Sequence, residues 1–261
     1  MPAVRPKKKL GQHFLNDKRV ASKIVESLTA EKSDFVLEIG PGMGVLTVEL
    51  IAKFNERFFA SEVDDESVEY LNLTIPALTP NLIHGDFNEI NLPSKFNGNL
   101  AIIGNLPYNI SSQIFFKILE NREMVNEVVC MIQKEVAQRI SEKPGTKTYG
   151  ILSVLLQAYY DIKYLFTVNE GVFTPPPKVK SAVIRLVRNS TQKLDCNEAL
   201  FIKVVKAGFN QRRKTLRNSI RSVFPNIELS PKFTNQRPER LSVADFFELT
   251  NEVEGKINLK I

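Results

Sequence analysis

Apolar residues fall on two periods along this chain, and the two alternate. Short apolar runs at Phe35 to Ile39, Arg57 to Val63, Asn81 to His84, Leu100 to Ile103 and Val128 to Gln133 have the length of buried strands. Between them, Val20, Ile24, Val25 and Leu28, then Val45, Leu46, Val48, Leu50 and Ile51, then Ile114, Phe115, Ile118 and Leu119 repeat at helical spacing. Strands alternating with helices predict an α/β fold built on an open sheet. A helix over Lys134 to Ile140, a buried helix over Tyr149 to Tyr159 and strands over Tyr164 to Val168 and Ser181 to Val187 follow. After Arg188-Asn189-Ser190-Thr191 the strand-like pattern stops. Helices are expected over Asn197 to Phe209, Thr215 to Val223 and Val243 to Val253, the last capped by Ser242. The chain therefore divides into an α/β domain over 1–189, opened by a basic arm, and a small all-helical domain over 190–261.

Composition narrows the class. With 261 residues, 43% hydrophobic and 25% charged, the chain has the make-up of a soluble globular protein with a full core. Its apolar runs fall short of the roughly 18 residues a membrane helix needs. Two distant cysteines, Cys130 and Cys196, with no secretory leader before them, fit a reducing cytoplasm. His13 and His84 are the only histidines, and no paired-cysteine motif accompanies them, so no metal site is expected. The net charge of +6 is unevenly distributed. Arg5, Lys7, Lys8 and Lys9 open the chain, and Lys203, Lys206, Arg212, Arg213, Lys214, Arg217 and Arg221 cluster near its end. Such clusters are solvated faces or nucleic-acid contacts.

The chemistry concentrates in loops that follow strands, where open α/β sheets bind ligands. Gly104-Asn105-Leu106-Pro107-Tyr108-Asn109-Ile110-Ser111 joins a strand to a helix. Asn105 offers a side-chain oxygen, Leu106 a backbone carbonyl steadied by Pro107, and Tyr108 a flat ring. Two acceptors beside a ring suit the exocyclic amino group of a purine or an amide. By itself Asn-x-Pro-Tyr is also an ordinary capped turn. Glu38-x-Gly40-x-Gly42-x-Gly44 lacks the last glycine of a dinucleotide fingerprint, because Val45 stands there. Glu62, about 20 residues past the glycine loop, suits a ribose diol, while Asp64 and Asp65 could cap the next helix. Asp86 follows the third strand in a turn. Phe173, before Pro175-Pro176-Pro177, either faces Tyr108 across a flipped base or plugs the core. His13 beside Phe14 reads as a packing or capping residue with no acid–base role.

Gln12-His13-Phe14-Leu15, Glu38 to Gly44, Asn105 to Ser111, Phe173 to Val179 and Gln211 to Arg217 together, in that order, resemble the small-subunit ribosomal RNA adenine N6,N6-dimethyltransferases, known in bacteria as the KsgA type. The resemblance covers nearly the whole chain. It implies a Rossmann-like methyltransferase domain with a helical C-terminal domain and S-adenosylmethionine as donor. The substrate it implies is two adjacent adenines near the 3′ end of 16S rRNA, with a link to small-subunit biogenesis and a pre-30S particle as partner. A monomer in the cytoplasm is expected. Cofactor contacts carry over to His13, Leu15, Gly40, Gly42, Glu62, Asp86 and Asn105. Family members often have Asn where this chain has His13. The target base falls to Asn105, Leu106, Pro107, Tyr108 and Phe173, and RNA to Arg212, Arg213, Lys214 and Arg217. Two alternatives share the fold: a large-subunit rRNA methyltransferase of the antibiotic-resistance type, and a non-catalytic ribosome-assembly or transcription factor.

Overall fold

A computed structural model of the chain describes residues 4–211 and 213–258. Its elements are β1 (Phe14–Leu15), α1 (Lys18–Glu26), β2 (Phe35–Ile39), α2 (Thr47–Phe54), β3 (Phe58–Glu62), α3 (Asp65–Thr74), β4 (Leu82–His84), α4 (Leu92–Lys95), β5 (Leu100–Asn105), α5 (Ser111–Glu120), β6 (Val125–Gln133), α6 (Lys134–Ser141), α7 (Ile151–Gln157), β7 (Tyr160–Val168), β8 (Phe173–Thr174), β9 (Ser181–Arg188), α8 (Glu198–Asn210), α9 (Leu216–Arg221), α10 (Pro231–Thr234) and α11 (Val243–Asn258).

The chain divides into two compact units. The first holds residues 1–137 and 161–188, the second 138–160 and 189–261. The sequence-based division at 189/190 lies beside one of these boundaries. The stretch 138–160 belongs to the second unit, although periodicity alone assigned it to the α/β domain. The reason is packing: in the second unit α7 buries Leu152, Val154, Leu155 and Leu156 and packs against α8 and α11.

In the first unit the main sheet has the order β4-β3-β2-β5-β6-β9-β7 among the described residues. β4, β3, β2, β5 and β6 run parallel, and β9 joins β6 antiparallel. Parallel strands are covered on both faces, which is why β2 reads Phe-Val-Leu-Glu-Ile and β5 Leu-Ala-Ile-Ile-Gly-Asn with almost no alternation. Val36, Leu37, Ala101, Ile102 and Ile103 have no exposed surface. β3 lies on one side of β2 and β5 on the other, so strand order reverses there. That reversal opens a crevice beyond the carboxyl ends of β2 and β5. A separate two-stranded ribbon pairs β1 with β8.

The second unit is helical. Asn197 caps α8, its side chain accepting from the Leu200 amide. Ser242 caps α11 reciprocally: its hydroxyl accepts from the Asp245 amide at 3.1 Å while Asp245 Oδ2 accepts from the Ser242 amide at 3.0 Å. Phe201, Phe209, Phe246 and Leu249 fill its interior. No helix of the described residues is long and apolar enough to cross a membrane.

Candidate active site

The crevice is a cavity within the first unit, lined by loops after β2, β3, β4 and β5 and by residues 10–14 of the N-terminal arm. Register sets its floor. Glu38 lies opposite Ile103 in the β2–β5 ladder, so Gly40 and Asn105 leave the sheet side by side. Gly40 has φ 66°, and a Cβ there would meet no atom within 4 Å. Backbone at this point is open to close approach by a ligand.

Glu62, at the end of β3, is 4% exposed. Its carboxylate accepts from three backbone amides: Gly42 at 3.0 Å, Val63 at 2.9 Å and Asp64 at 2.9 Å. Burial raises its pKa above the ordinary carboxylate value, and those amides partly offset the rise. Gly42 therefore orients Glu62 and is not among the cavity-lining residues. Asp86 lines the cavity, and its Oδ1 accepts from the Asn88 amide at 2.8 Å and the Asn88 side chain at 3.1 Å. Val63 and Phe87 add apolar wall next to these two carboxylates.

Glu38 stays beneath the loop at 1% exposure, accepting from the Thr47 hydroxyl at 2.7 Å. Burial, with a smaller contribution from nearby Glu62, pushes its pKa up to about 8. It ties the end of β2 to the first turn of α2 and does not line the cavity.

Asp64 has a role that sequence reading missed. It stands at the N-cap position of α3 but bonds no backbone amide of that helix. Instead it forms an ion pair with Lys7 and accepts from Gln12 Nε2 at 3.2 Å and from the Ser67 hydroxyl at 3.1 Å. Burial alone would raise its pKa, but Lys7, Gln12 and Ser67 hold it below the ordinary value. Lys7 also lies 3.2 Å from Glu66. The basic arm is thus fastened along the end of β3. Gly11, at φ 64°, passes so close to Asn109 that a Cβ would come within 2.6 Å of its Oδ1.

On the other side of the cavity, Asn105 Nδ2 donates to the His13 carbonyl at 2.9 Å. A carbonyl can only accept, so this bond decides which end of the amide is nitrogen and leaves Oδ1 as the acceptor. The Leu106 amide donates to Met131 O at 3.0 Å, joining the loop to β6. Tyr108 shares a 2.5 Å hydrogen bond with the Ser181 hydroxyl, and burial raises its pKa. His13 stacks on the Tyr108 ring at 5.4 Å between centroids and 27° between planes. His13 Nδ1 lies 2.7 Å from Pro175 O, to which it must donate.

Two of the expected site residues lie in the core. Phe173 is 3% exposed, sits in β8 opposite Leu15 of β1, and belongs to the same buried cluster as Ile103, Met131 and Val183, as its core-packing alternative has it. Leu15 is buried in the same cluster and does not line the cavity. Both are drawn inward because the β1–β8 ribbon turns these apolar side chains to the core. The ring that does meet Tyr108 is His13. In the second unit Arg213, Lys214 and Arg217 are exposed around buried Leu216, and Arg212 lies outside the described residues.

A family model for ribosomal RNA adenine dimethylase matches residues 3–254. The chain belongs to that family. A "Ribosomal RNA small subunit methyltransferase A" from Cytophaga hutchinsonii is 55% identical, over 98% of this chain and 100% of the relative. Among solved structures, a dimethyladenosine transferase from Plasmodium falciparum superposes with a TM-score of 0.75 at 23% identity, covering 95% of this chain and 98% of that one. The 23S rRNA methyltransferase ErmE gives 0.64 at 25% identity, covering 91% and 99%. As a ribosomal RNA adenine dimethylase the chain is an S-adenosylmethionine-dependent methyltransferase on a Rossmann-like fold. The cavity suits such a donor: open backbone at Gly40, buried Glu62, and Asp86 beside apolar Val63 and Phe87. Among the described residues no cluster of three or more His, Cys, Asp or Glu could hold a metal ion.

Proposed function

We propose that this chain transfers methyl groups to N6 of two adjacent adenines near the 3′ end of small-subunit rRNA, giving N6,N6-dimethyladenosine in each. Support for the small subunit comes from the small-subunit methyltransferase that is 55% identical over 98% of this chain. The observation that carries the chemistry is the Asn105–His13 hydrogen bond, because it presents the Asn105 side chain to the cavity as an acceptor.

S-adenosylmethionine supplies a methyl carbon already activated by the sulfonium: as the N6–C bond forms the C–S bond breaks, S-adenosylhomocysteine leaves, and the acidic N6 proton passes to water, so no strong general base is needed. The protein's part is to orient the nucleophile. Adenine N6 is a poor nucleophile because its lone pair is delocalised into the ring. Asn105 Oδ1 and the Leu106 carbonyl accept its two N–H bonds, favour a pyramidal nitrogen and stabilise the positive charge that grows there. Pro107 fixes the backbone that aims the Leu106 carbonyl, and Tyr108 gives the base a stacking surface. For the second methylation only one N–H remains, and either acceptor can take it.

Glu62 accepts from the donor's ribose, Asp86 from its adenine amino group, and Gly40 and the backbone near His13 approach its amino-acid end. Phe173 and Leu15 support this arrangement from the core. Arg212, Arg213, Lys214 and Arg217 bind RNA phosphates, with the single-stranded target adenines read in the cavity. A monomer in the cytoplasm acting on a pre-30S particle completes the proposal.

The test is methyl transfer from labelled S-adenosylmethionine to small-subunit particles lacking the modification, with large-subunit RNA in parallel. Dimethyladenosine confined to the small-subunit RNA is the expected result. Label confined to the large-subunit RNA would overturn the assignment.

A further inference from the structure

Lys117 projects from α5 toward the loop that carries Asp86, and no part of the scheme above uses it. Its ammonium donates to Asn88 O at 2.7 Å and to Ile90 O at 2.6 Å, and it lies 5.3 Å from the centre of the Phe87 ring. Those three contacts fall on residues immediately after Asp86. The other end of the loop is tied to the sheet, with the Gly85 amide donating to Glu62 O at 2.8 Å and the Ser61 hydroxyl to Gly85 O at 3.2 Å. Asp86 is therefore suspended between β3 and α5. Asn88 closes the arrangement, because it gives Asp86 Oδ1 two hydrogen bonds while its own carbonyl is held by Lys117.

We infer that Lys117 is a positioning residue for donor recognition: it locks the 86–90 loop so that the Asp86 carboxylate meets the cofactor's exocyclic amino group in a fixed direction. This rests on the reading that Asp86 accepts from the donor's adenine. Several features favour it over a purely structural role. A single ammonium supplies hydrogen bonds to two carbonyls, one within and one at the end of the short 3-10 turn Phe87–Glu89 that follows Asp86, and a charged donor makes such bonds about twice as strong as neutral ones. The same cation sits against Phe87, a wall of the cavity. Burial lowers the Lys117 pKa from its ordinary value, and Asp86, Glu120 and Glu89 partly offset the fall, so the charge of the loop helps to hold its anchor. A fixed carboxylate separates an amino group, which donates to it, from a carbonyl, which repels it. A loose one adapts to either.

The experiment compares binding of S-adenosylhomocysteine and S-inosylhomocysteine to the full chain by calorimetry. The two ligands differ at one purine edge: an amino group beside a bare N1 in the adenosine ligand, and a carbonyl beside an N1–H, which only a carboxylate free to shift could accept, in the inosine one. The wild type is expected to prefer the adenosine ligand by about 100-fold, the scale of a charged hydrogen bond replaced by a repulsion. Lys117→Met, with its thermal melt checked for folding, is expected to reduce that ratio to about 10-fold or less. Lys117→Gln carries the same comparison if the Met variant does not fold, and Lys117→Arg is expected to restore much of the ratio. A preference unchanged in both uncharged variants would overturn the inference and leave the Asp86 reading intact. No preference in the wild type would overturn that reading and the inference with it.

Discussion

The cavity of the first unit and the basic turn of the second handle polar groups in opposite ways. In the cavity, Glu62 and Asn105 are wholly or mostly withdrawn from water, and each has named hydrogen-bond partners. On the turn, Arg213, Lys214 and Arg217 stand in solvent around a single buried anchor, Leu216. A buried acceptor works by direction, so losing one is severe. Exposed cations work as a field, so losing one costs little and losses add. Chemistry on one purine nitrogen needs the first arrangement, and holding a flexible polyanion needs only the second.

The most damaging way to break the comparison is at Asn105. Asn105→Ala is expected to cut single-turnover methyl transfer by about 100-fold or more while changing RNA affinity less than about threefold. Equal losses in rate and affinity would show that Asn105 is not a directional acceptor. Next in size is charge reversal on the turn. Arg213→Glu with Lys214→Glu is expected to weaken RNA binding by about tenfold and flatten the dependence of log K on log salt by roughly two contacts. A filter-binding series across salt concentrations measures both, and an unchanged slope would remove these residues from the interface.

Glu38 sharpens the contrast, because it is buried like Glu62 but lies outside the cavity. Its pKa of about 8 exceeds the ordinary 4.5, so between those values the folded state holds a proton that the unfolded state has released. Stability then falls as pH rises through that window, by up to about 1.4 kcal/mol per pH unit. In urea titrations at pH 5, 6.5 and 8, Glu38→Gln is expected to remove much of this slope. An identical slope in variant and wild type would mean that Glu38 does not hold the proton. The smallest effect is expected at Tyr108→Phe. It removes the hydrogen bond to Ser181 but keeps the ring, so transfer should fall less than about fivefold, whereas Tyr108→Ala should lose about tenfold or more. Rates measured side by side separate hydroxyl from ring.

Sequence by itself determined the strands of the main sheet and most of the longer helices, because burial period is a local property, while the short β1, β8, α4 and α10 escaped it. β2 runs over Phe35–Ile39 as the apolar run predicts, α5 begins at Ser111, and Asn197 and Ser242 cap their helices as their residue types require. It also determined that the glycine loop, Glu62, Asp86 and Asn105 gather at one end of the sheet, since parallel strands place every such loop on the same edge. Tertiary structure decided what faces what. Phe173 is turned into the core and His13 onto Tyr108 by pairing between β1 and β8, segments far apart in the chain whose register no local pattern encodes. Asp64 is drawn from its helix to the arm by Lys7 and Gln12, and 138–160 leaves the α/β unit because its apolar side chains pack on α8 and α11. In each case the deciding contact joins residues distant in sequence, and alternatives that look equal along the chain separate only once burial chooses between them.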